Sequence, residues 1–486
     1  MGSGIFRKNK VPAQGAPAKS RPGCDDDLTE GSLLPKLIRF CIPLMLTGML
    51  QLLYNASDMV VVGQFDSPDA VGAVGSSGSL INLMVNLFIG LSVGVSVNVA
   101  QYIGARRPRD VDDVVHTSIA MAIILGVLVA IPGYLFAEDA LRMMNASENL
   151  LAKAAPYVRA YMVGVPALTM YNYCAAVLRA KGDTVRPLIF LGVSGLVNVV
   201  LNVIMVAGFH LGALGVGVAT TVSQYVSAVM ILIYMTFRLE DPYRIHWGRL
   251  RINRDKLWKI IRVGLPAGLQ STLFSISNVL IQSAVNTFPD AVVNGNAAAA
   301  NLDGFIYNAQ NSVYHASITF VGQHVGARKY KRLNRVLFSC LGLVTVIGIA
   351  IGIVEILFAH PLLGVYVPGD EGAIAWGTQR LLMMGLTYFL CGWMEVCCGA
   401  LRGMGKTITP MLVSLAGACL LRIVWIYTIF RWEPTMMCLY ISYPVSWLVT
   451  AGVEFALYFI FKGRIERADS APDVTEEQPV QVSQEL

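Results

Sequence analysis

The sequence predicts an all-α membrane protein whose twelve transmembrane helices form two six-helix bundles. Three observations lead there. Apolar segments of about 20 residues or more, the length a helix needs to cross a bilayer, recur twelve times between two polar tails. Charged residues make up only 14% of the 486, where soluble domains carry about 25%, and the mean hydropathy is +0.58. The chain also repeats itself at a fixed offset. This composition argues against an ordinary cytosolic enzyme, a nucleic-acid binder and a secreted disulfide scaffold. The nine cysteines lie mostly within apolar runs without a CxxC, and read as buried reduced thiols. The six histidines are too scattered for a metal cluster.

Residues 1–32 are polar and rich in Gly and Pro. They lack the apolar stretch of a secretory signal, and a disordered tail is expected there. Span 1 (37–63) places Tyr54, Asn55 and Asp58 on one helical face. A charged residue inside a membrane costs about 2.5–3.5 kcal/mol on insertion scales, which makes Asp58 a functional candidate. It can take up a proton or, with neighbouring oxygens, hold a sodium ion; the alternative is a buried Asp fixed by neighbouring hydrogen bonds. Span 2 (71–101) contains Gly90-Leu91-Ser92-Val93-Gly94. A hydrolase GxSxG needs a strand–turn–helix context, so the helix-packing GxxxG reading holds here. Spans 3 (115–136) and 4 (154–178) follow, then a turn with Arg179, Gly182 and Pro187. Span 5 (188–209) carries Asn198 and Asn202 on one face, and span 6 (216–237) carries Thr220 and Thr221.

A basic stretch, 238–259, reads as the linker between halves. Span 7 (260–287) puts Asn278 and Gln282 on one face as cavity candidates. Span 8 (297–325) has Asp303 near its start, where a carboxylate favours the helix amino end. Spans 9 (336–358) and 12 (438–461) hold Glu355 and Glu454 close to their ends, where solvation at the interface is expected. Span 10 (377–401) carries Glu395 and span 11 (411–430) carries Arg422, which reads as the basic residue deep in a span. Arg does not lose its proton, so a Glu395–Arg422 pair is expected. The second Arg-Gly turn (Arg402, Gly405, Pro410) matches the first and reads, like it, as a cytoplasmic loop outside any ligand site. Residues 462–486 form a second polar tail. Spans 1, 2, 7 and 8 are long and are expected to tilt. The sequon at Asn55 is inside a span; that at Asn145 is exposed and matters only in a secretory pathway.

The two tails and the loops after even-numbered spans hold 29 of the 37 Lys and Arg. The positive-inside rule then places both termini in the cytoplasm and accounts for the net charge of +6. Cys41-Ile42-Pro43 corresponds to Gly264-Leu265-Pro266, Val99–Arg106 to Val321–Arg328, and Leu178–Pro187 to Leu401–Pro410, at offsets of 223, 222 and 223 residues. Matches at one spacing signal an internal duplication. Six spans per repeat make the halves parallel, related by an axis along the membrane normal.

Pro43…Tyr54-Asn55-x-x-Asp58…Val62-Gly63, the Gln-x-x-Gly-Ala-Arg sequences at 101–106 and 323–328, and the Leu-Arg-Ala/Gly-x-Gly sequences at 178–182 and 401–405 resemble the multidrug and toxic compound extrusion (MATE) transporters, of the bacterial DinF-like and NorM-like type, over about residues 30–460. The resemblance implies two six-helix lobes around a cavity and export of small organic, often cationic compounds against proton or sodium flow, with no enzyme activity and no cofactor. It implies an ion site at Asp58, Asn198, Asn202 and Thr220, with a departure at Asn202, where the family pattern has an acid. It implies a cavity central to the two lobes, a loosely matched acid at Glu395, and a monomer in the cell membrane; ion binding at Asp58 is expected to change the bend or packing of span 1 and expel substrate from an amino-terminal-lobe cavity. With Arg422, Tyr54, Asn55, Asn278 and Gln282, Glu395 completes the cavity candidates; in the functional version Glu395 changes partner during transport. The alternatives are a lipid-linked precursor flippase of the same superfamily, disfavoured by a single deep Arg, and an intramembrane enzyme or receptor. No Walker A loop, HExxH or haem motif occurs.

Overall fold

The computed structural model describes residues 27–65, 68–143 and 148–470, and among these there is helix, turn and loop but no strand. The amino-terminal half holds α1 (Leu33–Phe65), α2 (Pro68–Gly104), α3 (Pro108–Leu135), the short α4 (Ala137–Met143), α5 (Glu148–Lys181), α6 (Val185–Asn202) and α7 (Gly212–Phe237). The carboxyl-terminal half holds α8 (Arg254–Val285), α9 (Asp290–Gly326), α10 (Leu333–Leu357), the short α11 (Ala359–Tyr366), α12 (Glu371–Thr387), α13 (Phe389–Gly403), α14 (Ile408–Ser414), α15 (Leu421–Tyr427), α16 (Ile429–Trp432) and α17 (Met436–Ser470).

Nine of the described helical runs are long and apolar enough to cross a membrane. A tenth span is α12 with α13, bent by 44° where the Gln310 side chain donates to the Tyr388 carbonyl, the kind of side-chain insertion that kinks helices. The remaining two are α8 and α9. They are more polar because one face of each is turned to an internal cavity, with Ser271, Asn278 and Gln282 on α8 and Asn308 and Asn311 on α9. Twelve spans in two bundles result, as predicted.

Several boundaries differ from expectation. Leu28 and Thr29 are buried in the carboxyl-terminal lobe, where Lys329 and Arg332 bind Thr29, so residues before 33 belong to the lobe. Helix α17 runs to Ser470, past the expected end at 461. Residues 1–26 and 471–486, the greater part of both tails, and the sequon at Asn145 lie outside the described residues. The linker ends at Asn253, whose side chain caps α8 by accepting from the backbone N–H of Asp255 and Lys256. It is pinned to α3 by Arg251–Asp113 (2.6 Å) and by the His246 N–H on His116 (3.0 Å). Helices α4 and α11, which the hydropathy pattern does not reveal, occupy matching places in the two repeats.

The two halves exchange their first helices. Leu37, Phe40, Cys41 and Leu44 of α1 sit in the core of the carboxyl-terminal lobe, whereas Val61 and Val62 sit in that of the amino-terminal lobe. Helix α8 does the reverse, with Ile260 in the amino-terminal core and Ala284 and Val285 in the other. Glycines allow the crossing: a Cβ on Gly90 would meet the backbone of Gly268, and one on Gly94 that of Ile260 and Gly264. Gly90 thus serves packing, as the GxxxG reading expects. Ser92 donates to the Ile89 carbonyl of its own helix (2.7 Å).

Candidate functional site

The candidate residues fall into two separate polar sites among the described residues. The first joins α1, α6 and α7. The Asn202 amide donates to Asp58 Oδ1 (2.5 Å) and to Asn198 Oδ1 (3.2 Å), and the Asn198 amide donates to Thr220 Oγ1 (3.4 Å). Asp58, Asn198 and Asn202 are buried, and Asn202 Oδ1 has no protein partner. Sequence spacing had put Asp58 deep in its span; it stands two turns from the end of α1. Just past Asn202, α6 widens into a π-helical turn, Val203–Gly208, a feature frequent at functional sites. Tyr54, one turn before Asp58, donates to the Leu191 carbonyl (3.0 Å), and its ring occupies the space a Cβ on Gly195 would need. Tyr54 thus braces α1 against α6, and Asn55 is exposed. Neither lines the central cavity. Thr221 donates to the Ala160 carbonyl.

The second site is a central cavity of about 760 Å³, within the usual range for ligand pockets. It lies centrally, as the resemblance implies, and is not an amino-terminal-lobe cavity beside Asp58: helices of the carboxyl-terminal lobe form most of its wall, and none of Asp58, Asn198, Asn202 and Thr220 lines it. Asn278, Gln282, Glu395 and Arg422 all do. At the end of the molecule where the described chain begins and ends, the cavity is closed by a symmetric pair of bonds. Gln101 Nε2 donates to the Gly403 carbonyl and Gln323 Nε2 to the Ala180 carbonyl, both at 2.8 Å and each across the two lobes. Gly104 and Gly326 let the backbones of α2 and α9 touch there. These are the two Gln-x-x-Gly-Ala-Arg sequences, for which the sequence alone suggested no task. Towards the other end the cavity extends to Val285, Asn296 and Leu439.

The charges differ most from expectation. Four guanidiniums line the cavity: Arg179, Arg380, Arg402 and Arg422. Arg402 is buried, donates to the Tyr314 hydroxyl and to Gln270 Oε1 (2.7 Å), and so belongs to the cavity floor and not to a cytoplasmic loop. Arg179 lies in the last turn of α5 and faces the same cavity. The turns fall at Gly182 and Gly405, as read, with positive φ of 103° and 80° that glycine tolerates best; the helices run on to Lys181 and Gly403, so both arginines are helical. Arg422 makes no ion pair with Glu395. Its Nε donates to Ser446 Oγ (2.8 Å) and its guanidinium lies 4.3 Å from the centre of the Tyr443 ring. Arg380, overlooked because it opens an apolar run, pairs with Asp303 through Nε and Nη2 (3.0 and 2.8 Å) and with Asn296 through Nη1 (2.7 Å). That pairing replaces the helix-end role expected for Asp303. Glu355 and Glu454 are buried and not solvated at an interface; Glu454 accepts from the Ser414 hydroxyl (2.8 Å). The eight described cysteines are buried and free.

A duplicated twelve-helix membrane protein, with two lobes locked at one end around a central cavity, has the build of a transporter. The MatE family model matches residues 43–204 and 266–428, one segment in each repeat, and the chain belongs to that family; it is a membrane transporter and not an enzyme. It is similar to the probable multidrug resistance protein YoeA of Bacillus subtilis, at 26% identity over 87% of this chain and 93% of that protein. It is also similar to the probable multidrug resistance protein NorM of Thermotoga maritima, at 24% identity over 78% of this chain and 82% of that one. Among solved structures, an outward-facing MATE family multidrug resistance transporter superposes with a TM-score of 0.85 at 23% identity, covering 92% of this chain and all of that one.

Proposed function

We propose that the protein exports a small organic solute in exchange for inward flow of protons or sodium, acting as a monomer in the cell membrane with both termini in the cytoplasm. The observation that carries this reading is the Asp58–Asn202–Asn198–Thr220 chain at the contact of α1 with α6 and α7. A proton or sodium ion on Asp58 competes with the Asn202 amide for the carboxylate. Loss of that bond frees the outer half of α1, and α1 begins in the core of the other lobe. An event at Asp58 therefore acts on a helix that both lobes share. With cytoplasmic termini, the Gln101 and Gln323 bonds close the inner side and the cavity faces outward. Rocking of the lobes breaks these bonds and opens the inner side.

Cationic solutes, implied by the family resemblance, have Glu395 and the aromatic wall to attract them and the guanidiniums to oppose them. A lipid-linked precursor flippase is the second reading, favoured by those same guanidiniums, since more than one arginine lies at depth.

The test is a distance. Spin labels at Arg109→Cys, exposed in the first turn of α3, and Lys331→Cys, exposed in the turn before α10, in a Cys24→Ser background, should report a short and a long separation. Sodium or acid should redistribute the two in the wild-type background and not with Asp58→Asn. A single separation, indifferent to both ions, would overturn the reading.

A further inference from the structure

We propose that the central cavity is an anion site, built for a solute that joins a carboxylate, sulfonate or phosphate group to an aromatic or apolar body. The proposal deepens the transporter reading and rests on it for the site's role, though not for binding itself.

The floor of the cavity is made by two arginines at matched positions of the repeat. Arg179 comes from α5 and Arg402 from α13, and His315 lines the same cavity. Duplication thus brings one cation from each lobe to a shared place. Arg402 is only 5% exposed and its Nε has no protein partner; the Nε of Arg179 has none either. On the wall, Arg422 is 4% exposed, with Nη2 unpartnered. Its face rests against Tyr443 and, at 5.5 Å, Trp447.

Charge arithmetic points the same way. Asp303 neutralises Arg380. That leaves Arg179, Arg402 and Arg422 against Glu395, a surplus of two positive charges among the described lining residues. Guanidiniums stay charged, and a buried charge with free donors is costly without an opposite partner. No protein carboxylate forms an ion pair with any of the three among the described residues. An oxyanion from a ligand supplies both the charge and the acceptors, in charge-assisted hydrogen bonds. The neighbouring Tyr388, Tyr440, Tyr443 and Trp447 offer the flat apolar surface that the rest of such a molecule needs.

The chemistry does not depend on whether the anion is a free solute or a lipid headgroup, and the experiment separates the two. Purified full-length protein in uncharged detergent is titrated with carboxyfluorescein and, separately, with ethidium, with short-chain phosphatidic acid and phenyl phosphate as competitors. Carboxyfluorescein should bind saturably and more weakly as salt rises. Arg402→Gln and Arg422→Gln should each weaken it about tenfold or more, the scale of a lost hydrogen bond to a charged group. Arg422→Lys should retain more affinity than Arg422→Gln, and Glu395→Gln should tighten binding. Displacement by phosphatidic acid alone identifies a lipid source, and displacement by phenyl phosphate a soluble one; either supports the anion site. Saturable ethidium binding with none for carboxyfluorescein overturns it, and that comparison needs no variant to fold. Unchanged anion affinity in both Arg→Gln variants overturns it as well. Anion binding without any gradient-driven movement in vesicles would remove the transporter reading and leave the site standing.

Discussion

Asp58 and Asn202 touch across two helices with 2.5 Å between donor and acceptor, so exchanging one amide for a carboxylate there has a defined consequence. Asn202→Asp sets a second carboxylate against Asp58 with no arginine or lysine bonded to either. Two such charges repel unless a cation sits between them. The variant should therefore unfold at a higher temperature in sodium than in choline buffer, by a margin clearly larger than that of the wild type; an equal response would count against an ion site. Elsewhere, Ser414 and Glu454 form a buried bond between α14 and α17. Glu454→Ala should cost about 1–3 kcal/mol by leaving the hydroxyl unpaired, and Glu454→Gln far less, as read by thermal unfolding of the detergent-solubilised protein. At this scale the sequence was informative where a costly residue sat inside a span. Asp58, Asn198 and Asn202 announced themselves by polarity at one helical spacing. Arg402 did not, because Leu-Arg-Gly before a second glycine reads as a turn; the helix in fact runs through the arginine and ends at Gly403.

Among the helices, the locked end turns on Gln101 and Gln323. Each makes one bond to a backbone carbonyl of the other lobe, worth about 0.5–1.5 kcal/mol net. Replacing both by Leu should shift the balance between the two lobe arrangements by up to roughly a hundredfold, since about 1.4 kcal/mol is a factor of ten. Spin labels across that end should then show the longer separation as the major one; no change would mean that packing alone holds the end closed. Gly90→Val should act in the same direction more strongly, because the Gly268 backbone occupies the space of its Cβ. The sequence revealed the number and order of the spans, since hydropathy depends on local composition. It did not reveal that α1 and α8 cross between lobes, for nothing in a helix's own residues states which neighbour each end meets. The bend at Tyr388 and the π turns beside Asn202 and before Arg422 likewise depend on partners distant in the chain.

For the molecule as a whole, duplication provides both the lock and the floor of the cavity. Matched glutamines fasten the lobes, and matched arginines meet beneath the cavity. The twofold plan was legible in three offset sequences, whereas the cavity's sign was not, because it arises only when residues from α5, α12, α13 and α15 converge. The central claim is that the Asp58 cluster couples an ion gradient to movement through a cavity that it does not line. Efflux from proteoliposomes, loaded together with carboxyfluorescein and ethidium under an imposed proton or sodium gradient, tests it most directly. The account predicts that one gradient drives loss of the anion from vesicles with the wild-type protein, and that Asp58→Asn abolishes this while still binding the dye. Gradient-driven efflux that persists at the wild-type rate in Asp58→Asn would contradict it.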